Sequence, residues 1–184
     1  MNSISTLTTT RRNLLKLGAS TALTAVFSHP ALAALTVKHR ILSFYNIHTG
    51  ESLKTCYHAN GKLIHRAVDR INHIMRDYRT GEIKPVDPQL LDVLHRLMSA
   101  IECTSPISII SGYRSPSTNA ALRKATKGVA LKSLHMEGRA IDIRIPGYDT
   151  EAVRAHAIGL KSGGVGYYPE SDFVHLDTGP VKIW

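Results

Sequence analysis

Two histidines and one carboxylate in the second half of the chain have the types and spacing that a single metal ion takes as ligands. His135 and Asp142 stand in Ser133-Leu134-His135-Met136-Glu137-Gly138-Arg139-Ala140-Ile141-Asp142, and His175 stands in Phe173-Val174-His175-Leu176-Asp177. A zinc ion used for hydrolysis holds three protein ligands and keeps a fourth position for water, whose pKa it lowers to about 7. Gly138 lies between the first two candidates and can adopt backbone angles closed to other residues, so the chain can turn there. Ile141, Ile143 and Ile145 alternate with Ala140, Asp142 and Arg144, a period of two that predicts a strand with Asp142 opposite the isoleucine face. The same alternation puts Phe173, His175 and Asp177 on one face of a second strand. If the two strands are neighbours, His175 converges on Asp142 and His135, with Asp177 placed to orient its imidazole or to bind substrate. Spacing alone does not separate this set from ordinary surface or core histidines.

The elements that must position these residues are legible in outline. Residues 40–47 and 52–57 read as two strands of a hairpin, followed by a turn at Asn60-Gly61. A helix is expected from about Leu63 to Tyr78, its core stripe running through Ile64, Ala67, Val68, Ile71, Ile74, Met75 and Tyr78. Its outer face carries His65, Asp69 and His73 four apart, which reads as a solvated polar face. Asp87-Pro88 starts a second helix to about Ile101. A strand at residues 106–111 leads into Gly112-Tyr113-Arg114, and Ser115-Pro116 begins another helix. Strands at 139–145, 165–168 and 173–177 and a helix at 150–160 complete the chain. Helices precede most strands, and short turns join the last ones. The expectation is one compact α+β domain with a central antiparallel sheet flanked by helices.

The formal charge is +9 at pH 7, with 43% hydrophobic residues. That hydrophobic content argues against disorder, and the basic surface favours anionic partners such as nucleic acid, lipid headgroups or cell-wall polymer. Thr10-Arg11-Arg12-Asn13-Leu14-Leu15-Lys16 resembles the twin-arginine export motif, and Ala31-Leu32-Ala33 gives the small-x-small pattern of signal-peptidase sites. We read residues 1–33 as a cleaved twin-arginine signal peptide and 34–184 as the mature domain, periplasmic and without a stable membrane span. Export, and the lack of a nucleic-acid-binding motif, argue against nucleic acid. Cys56 and Cys103 form no thiolate metal site; in an oxidising compartment a disulfide and two buried thiols are equally open.

The combination Ser-x-His-x-x-Gly-x-Ala-x-Asp, then Gly-x-Gly-Tyr and Phe-Val-His-x-Asp, with Ile110-Ser111-Gly112-Tyr113-Arg114-Ser115 upstream, resembles the zinc peptidases related to lysostaphin, the D-alanyl-D-alanine peptidases and hedgehog. Within that superfamily the similarity extends over nearly the whole chain to the murein endopeptidase K-like branch. The resemblance implies a hedgehog/D-Ala-D-Ala peptidase-like fold, Zn2+ at His135, Asp142 and His175, and hydrolysis of peptide cross-links between peptidoglycan stem peptides. It also implies that Arg114 lies near substrate as a stabilising cation, and that Ser133 either contacts substrate or caps the local turn. Several relatives carry a glutamate three residues before the last zinc histidine, or a histidine two before it; here those places hold Asp172 and Phe173. Asp172 is therefore the expected general base, with Asp177 and Glu137 as other nearby acids. Alternative readings are a D-Ala-D-Ala carboxypeptidase or dipeptidase, and a non-catalytic zinc-containing cell-wall-binding protein.

Overall fold

In the computed structural model, residues 39–126 and 128–184 are described, and the expected signal peptide lies outside them. Strand β1 (Arg40–Asn46) pairs antiparallel with β2 (Ser52–Ala59), and β2 with β3 (Lys62–Leu63) through the turn at Asn60-Gly61, both residues at positive φ. Helix α1 (His65–Ile74) and helix α2 (Pro88–Ala100) follow, then β4 (Ile107–Ser111), helix α3 (Pro116–Ala125), β5 (Ala140–Arg144), helix α4 (Thr150–Gly159), β6 (Gly164–Tyr168), β7 (Phe173–Asp177) and β8 (Lys182–Ile183). Together the strands make one eight-stranded sheet in the order β3-β2-β1-β4-β5-β7-β6-β8.

The α+β class holds, but the sheet is mixed and not antiparallel throughout. β1 pairs parallel with β4, and β6 parallel with β8. The first parallel pair arises because α1 and α2 intervene between β1 and β4, giving the chain a crossover long enough to return in the same direction. The four strands β4, β5, β7 and β6 that carry the candidate site remain antiparallel neighbours.

One face of the sheet is the core. Leu42, Phe44, Ile107, Ile109, Ile141, Ile143, Val174 and Leu176 pack there against Ile71 and Ile74 of α1, Leu90, Leu94 and Leu97 of α2, and Val153 and Ala157 of α4. Complete burial of each large apolar side chain contributes roughly 1.5–3 kcal/mol. The alternation that buries them turns Asp142 and His175 to the opposite face.

Helix α1 is shorter than its apolar stripe suggests. It ends at Ile74 because its last carbonyls are taken by other parts of the chain: Asn46 Nδ2 donates to Ile74 O at 2.9 Å, and Tyr113 N–H donates to Met75 O at 2.7 Å. The outer stripe His65, Asp69 and His73 is a polar face in which His73 meets Glu51 at 3.5 Å. Asp87 and Ser115 cap α2 and α3 as expected, accepting from Gln89 N and Thr118 N. Cys56 and Cys103 are separate free thiols. Among the described residues, no helix is long and apolar enough to cross a membrane.

Candidate metal centre

The sheet register places the site residues in one row across its open face. Ser111 of β4 is opposite Asp142 of β5, Asp142 is opposite His175 of β7, and His175 is opposite Gly166 of β6. The row includes Ser111 only because β4 slips register between Ile109 and Ser111. This bulge re-aims the end of β4, a common device beside functional sites, and it sends Gly112-Tyr113-Arg114 back toward Asp142.

His135 comes from off the sheet. It lies in a short 3-10 turn, Leu134–Glu137, that ends at Gly138 with φ 71°. A Cβ at Gly138 would sit 2.3 Å from Pro85 O, so both the turn and the packing require glycine. The turn is knitted to the segment after β4: Arg114 N donates to His135 O at 3.2 Å, and the ring of His135 meets Gly112 O through Nδ1 at 2.7 Å.

These second contacts decide what the rings offer. A carbonyl oxygen only accepts, so His135 Nδ1 carries the proton and Nε2 presents its lone pair. His175 Nε2 faces Asp177 Oδ2 at 3.2 Å; with a cation at the centre, Nε2 would keep its proton for Asp177 and Nδ1 would turn its lone pair to the ion. The free nitrogens and Asp142 Oδ1 then converge. His135 Nε2 is 3.2 Å from His175 Nδ1 and 3.3 Å from Asp142 Oδ1, and His175 Nδ1 is 2.8 Å from Asp142 Oδ1. Tetrahedral ligands at zinc distances of about 2.0–2.2 Å have edges of roughly 3.3 Å, so the triangle has a metal-site size. Among the described residues, His135, Asp142 and His175 form the group whose ligand atoms lie within 4.8 Å of one another.

The charge balance also fits a divalent cation. Asp142 and Asp177 are both buried, and two neutral imidazoles and one guanidinium do not offset them. Uncompensated buried charge costs several kcal/mol. Without a metal, that field acts on protons. Burial opposes an imidazolium at His175, but hydrogen bonds to Asp142 and Asp177 outweigh it and raise its pKa to about 9. Burial likewise raises the Asp142 carboxyl, yet His135 and His175 hold it well below the usual carboxylate range.

The surrounding residues have defined places. Arg114 Nη2 lies 3.5 Å from Asp142 Oδ2 and 3.4 Å from Ser111 Oγ, while its buried Nε has no partner. Burial lowers the guanidinium pKa and Asp142 opposes that shift. Asp177 Oδ1 accepts from Gly164 N at 2.9 Å and Gly179 N at 2.7 Å, leaving Oδ2 for His175. Ser133 is buried at the start of the 3-10 turn, and its hydroxyl does not cap that turn.

Asp172 is not brought to the centre. It occupies a left-handed turn with φ 50° just before β7, and its carboxylate is held by Arg144 Nε at 2.6 Å and by the Thr150 hydroxyl. Three residues of extended strand put it roughly 10 Å along β7 from His175. Glu137 is exposed and pairs with Arg139 at 3.2 Å. Sequence reasoning missed the Gly112 carbonyl, Ser111 and the indole of Trp184. The first two depend on an irregular register that alternation does not reveal; the third depends on β8, too short to be read from pattern.

The family model described as peptidoglycan L,D-endopeptidase MepK matches residues 34–184. The chain belongs to this family. Within it, the chain is 45% identical over 175 residues to the peptidoglycan L,D-endopeptidase MepK of Escherichia coli K12, covering 95% of this chain and 96% of that one. It is 39% identical over 176 residues to the probable MepK of Haemophilus influenzae Rd, covering 95% of each. A solved L-Ala D-Glu endopeptidase, ChiX of Serratia marcescens, overlaps 39% of this chain and 56% of its own at 22% identity, with a TM-score of 0.32. That overlap is too limited to define the fold.

Proposed function

We infer that this protein is a peptidoglycan endopeptidase that hydrolyses peptide cross-links between stem peptides, using zinc held by His135, Asp142 and His175. The observation that carries this reading is the convergence of three lone pairs, two of them fixed by hydrogen bonds behind the rings, on the open face of a chain belonging to the MepK family. Bound zinc supplies Lewis-acid polarisation of a carbonyl and water that ionises near neutral pH.

The chain's own residues do the remaining work. Gly112 O and Asp177 hold the imidazole tautomers, and so keep lone pairs aimed at the centre. Arg114, fixed between Ser111 and Asp142, presents a cation where negative charge builds on the scissile carbonyl oxygen. Ser133, at the start of the turn bearing His135, is the residue we assign to hydrogen-bonding the peptide. Both Asp177 oxygens are engaged, which assigns it to orienting His175 and not to exchanging protons with substrate. The basic surface attracts the carboxylates of stem peptides. The twin-arginine-like leader supports delivery to the periplasm as a folded, metal-loaded domain.

The test is digestion of purified sacculi with product analysis by mass spectrometry. Wild-type protein is expected to lower the cross-linked fraction, with chelator and His175→Ala each abolishing release. Loss of single terminal residues without loss of cross-links would instead indicate a carboxypeptidase, and binding without products a non-catalytic wall protein. Undiminished cleavage by His175→Ala would sink the metal reading.

A further inference from the structure

Gly166 is the cross-strand neighbour of His175, and it has no side chain to pack against that imidazole. The place is filled from two strands away. Trp184 follows β8, which runs parallel to β6, and its indole lies over Gly166: a Cβ there would fall 2.7 Å from Trp184 Cε2 and 2.8 Å from Nε1. The indole centroid is 5.3 Å from that of His175, with the rings tilted by 48°. Trp184 is anchored on three sides. Its backbone N donates to Val165 O at 3.2 Å, its O accepts from Tyr167 N at 3.0 Å, and its Nε1–H donates to Tyr168 OH at 3.1 Å. Tyr168 in turn stacks on Phe173, with centroids 4.5 Å apart.

His175 thus has its two nitrogens committed, one to the centre and one to Asp177, and one flank of its ring packed on an indole seated in a slot made by glycine. We propose that Trp184 is a positioning residue for the metal centre: seated on Gly166, it fixes the rotation of the His175 imidazole and walls the centre on that side. This rests on the metal reading given above. It explains why the row Ser111–Asp142–His175 ends in a residue without a side chain: any substituent at 166 would displace the indole. Removing the indole frees the ring to rotate about χ1 and χ2, which misaims Nδ1 without removing a ligand. Loss of a group that orients a metal ligand typically costs 10–100-fold in metal affinity or activity.

Trp184 is the only tryptophan in the chain, so the wall reports on itself. The experiment titrates Co2+ into metal-free full-length protein and follows both cobalt absorption and tryptophan emission, for wild type, Gly166→Ala, Trp184→Phe, Trp184→Ala and Tyr168→Phe. In wild type, Co2+ is expected to quench the emission saturably at one equivalent, with chelator restoring it. In Gly166→Ala the quenching weakens because the indole is displaced. Cobalt affinity is expected to fall about tenfold or more in Trp184→Ala and Gly166→Ala. Trp184→Phe, which keeps an aromatic wall, recovers much of the loss, and Tyr168→Phe shows an intermediate loss. The turnover number on cross-linked muropeptides follows the same order, with KM changing less. Thermal melts confirm which metal-free variants are folded. Should Gly166→Ala not fold, the substitutions at the exposed Trp184 and Tyr168 decide. Cobalt affinity within twofold of wild type in folded Trp184→Ala overturns the inference and leaves the metal reading standing. Failure of wild type to bind Co2+ overturns both.

Discussion

At the level of single residues, the division of labour among acids follows from which carboxylate oxygens are free. Asp142 turns Oδ1 to the two histidines and Oδ2 to Arg114. Asp177 is consumed by two backbone N–H groups and His175. Asp172 is consumed by Arg144 and Thr150 at the other end of β7. We therefore expect Asp172→Asn to keep kcat/KM on cross-linked muropeptides within about threefold of wild type, since it touches no reacting group. Arg114→Ala is expected to lower it by roughly 10²–10³, in the range seen when a single donor to a developing oxyanion is removed. A hundredfold loss in Asp172→Asn would restore it as a proton-transfer residue. The grouping of His135, Asp142 and His175 was legible in part, because strand alternation restricts direction, but spacing alone fits ordinary histidines equally and the family resemblance singled the three out. The place of Asp172 away from the centre was not legible, because position three before a histidine fixes sequence distance and not which way a left-handed turn points the carboxylate.

At the level of elements, the centre is assembled from three pieces of backbone: the bulged end of β4, the 3-10 turn before β5, and the β5–β7 pair. The strands were legible because Ile141, Ile143 and Ile145 alternate cleanly and because Val174 and Leu176 do the same. The bulge at Ile110 was hidden, since the run Ile107-Ser108-Ile109-Ile110-Ser111 breaks alternation without saying where the extra residue lies. The parallel β1–β4 pairing was hidden as well, because strand direction is set by the length of the intervening helices and not by the strands themselves. Gly138 joins two of the three pieces. Its positive φ aims His135, and its carbonyl accepts from Asp87 N at 2.9 Å. Gly138→Ala must bear both a left-handed alanine and a contact 2.3 Å from Pro85 O. The expected cost is roughly 2–3 kcal/mol, or about 5–10 °C in melting temperature for a domain of this size, accompanied by weaker metal binding. A melt within 1–2 °C of wild type, read by circular dichroism, would show that the turn relaxes without moving the chain.

At the level of the whole molecule, the core layer and the open face are stabilised by different forces, and pH separates them. The packed face of the sheet is apolar and insensitive to protons. The site depends on buried acids, and one of these, Asp77 in the segment after α1, supports it without touching it. Asp77 is 2% exposed. It accepts from Ser115 N through Oδ2 at 2.9 Å and from Arg79 N through Oδ1 at 3.0 Å, and so ties the chain leaving α1 to the start of α3, next to Arg114. Burial alone would raise its pKa, but hydrogen bonds from Thr118, Ser115 and Arg79 overcome burial and hold it below the ordinary aspartate value. The folded value is thus depressed relative to the unfolded one. The corresponding stability is present in full above about pH 4 and is lost as pH falls through the folded value, because the unfolded chain then binds the proton more readily. Asp77→Asn leaves one buried N–H facing an amide that donates where the carboxylate accepted, at an expected cost of roughly 1–3 kcal/mol at pH 7. The two proteins should converge in stability as pH is lowered below about 4, since protonating Asp77 removes from wild type what the substitution has already removed. Urea unfolding at a series of pH values measures this, and parallel curves across that window would show that Asp77 titrates alike in the folded and unfolded chains.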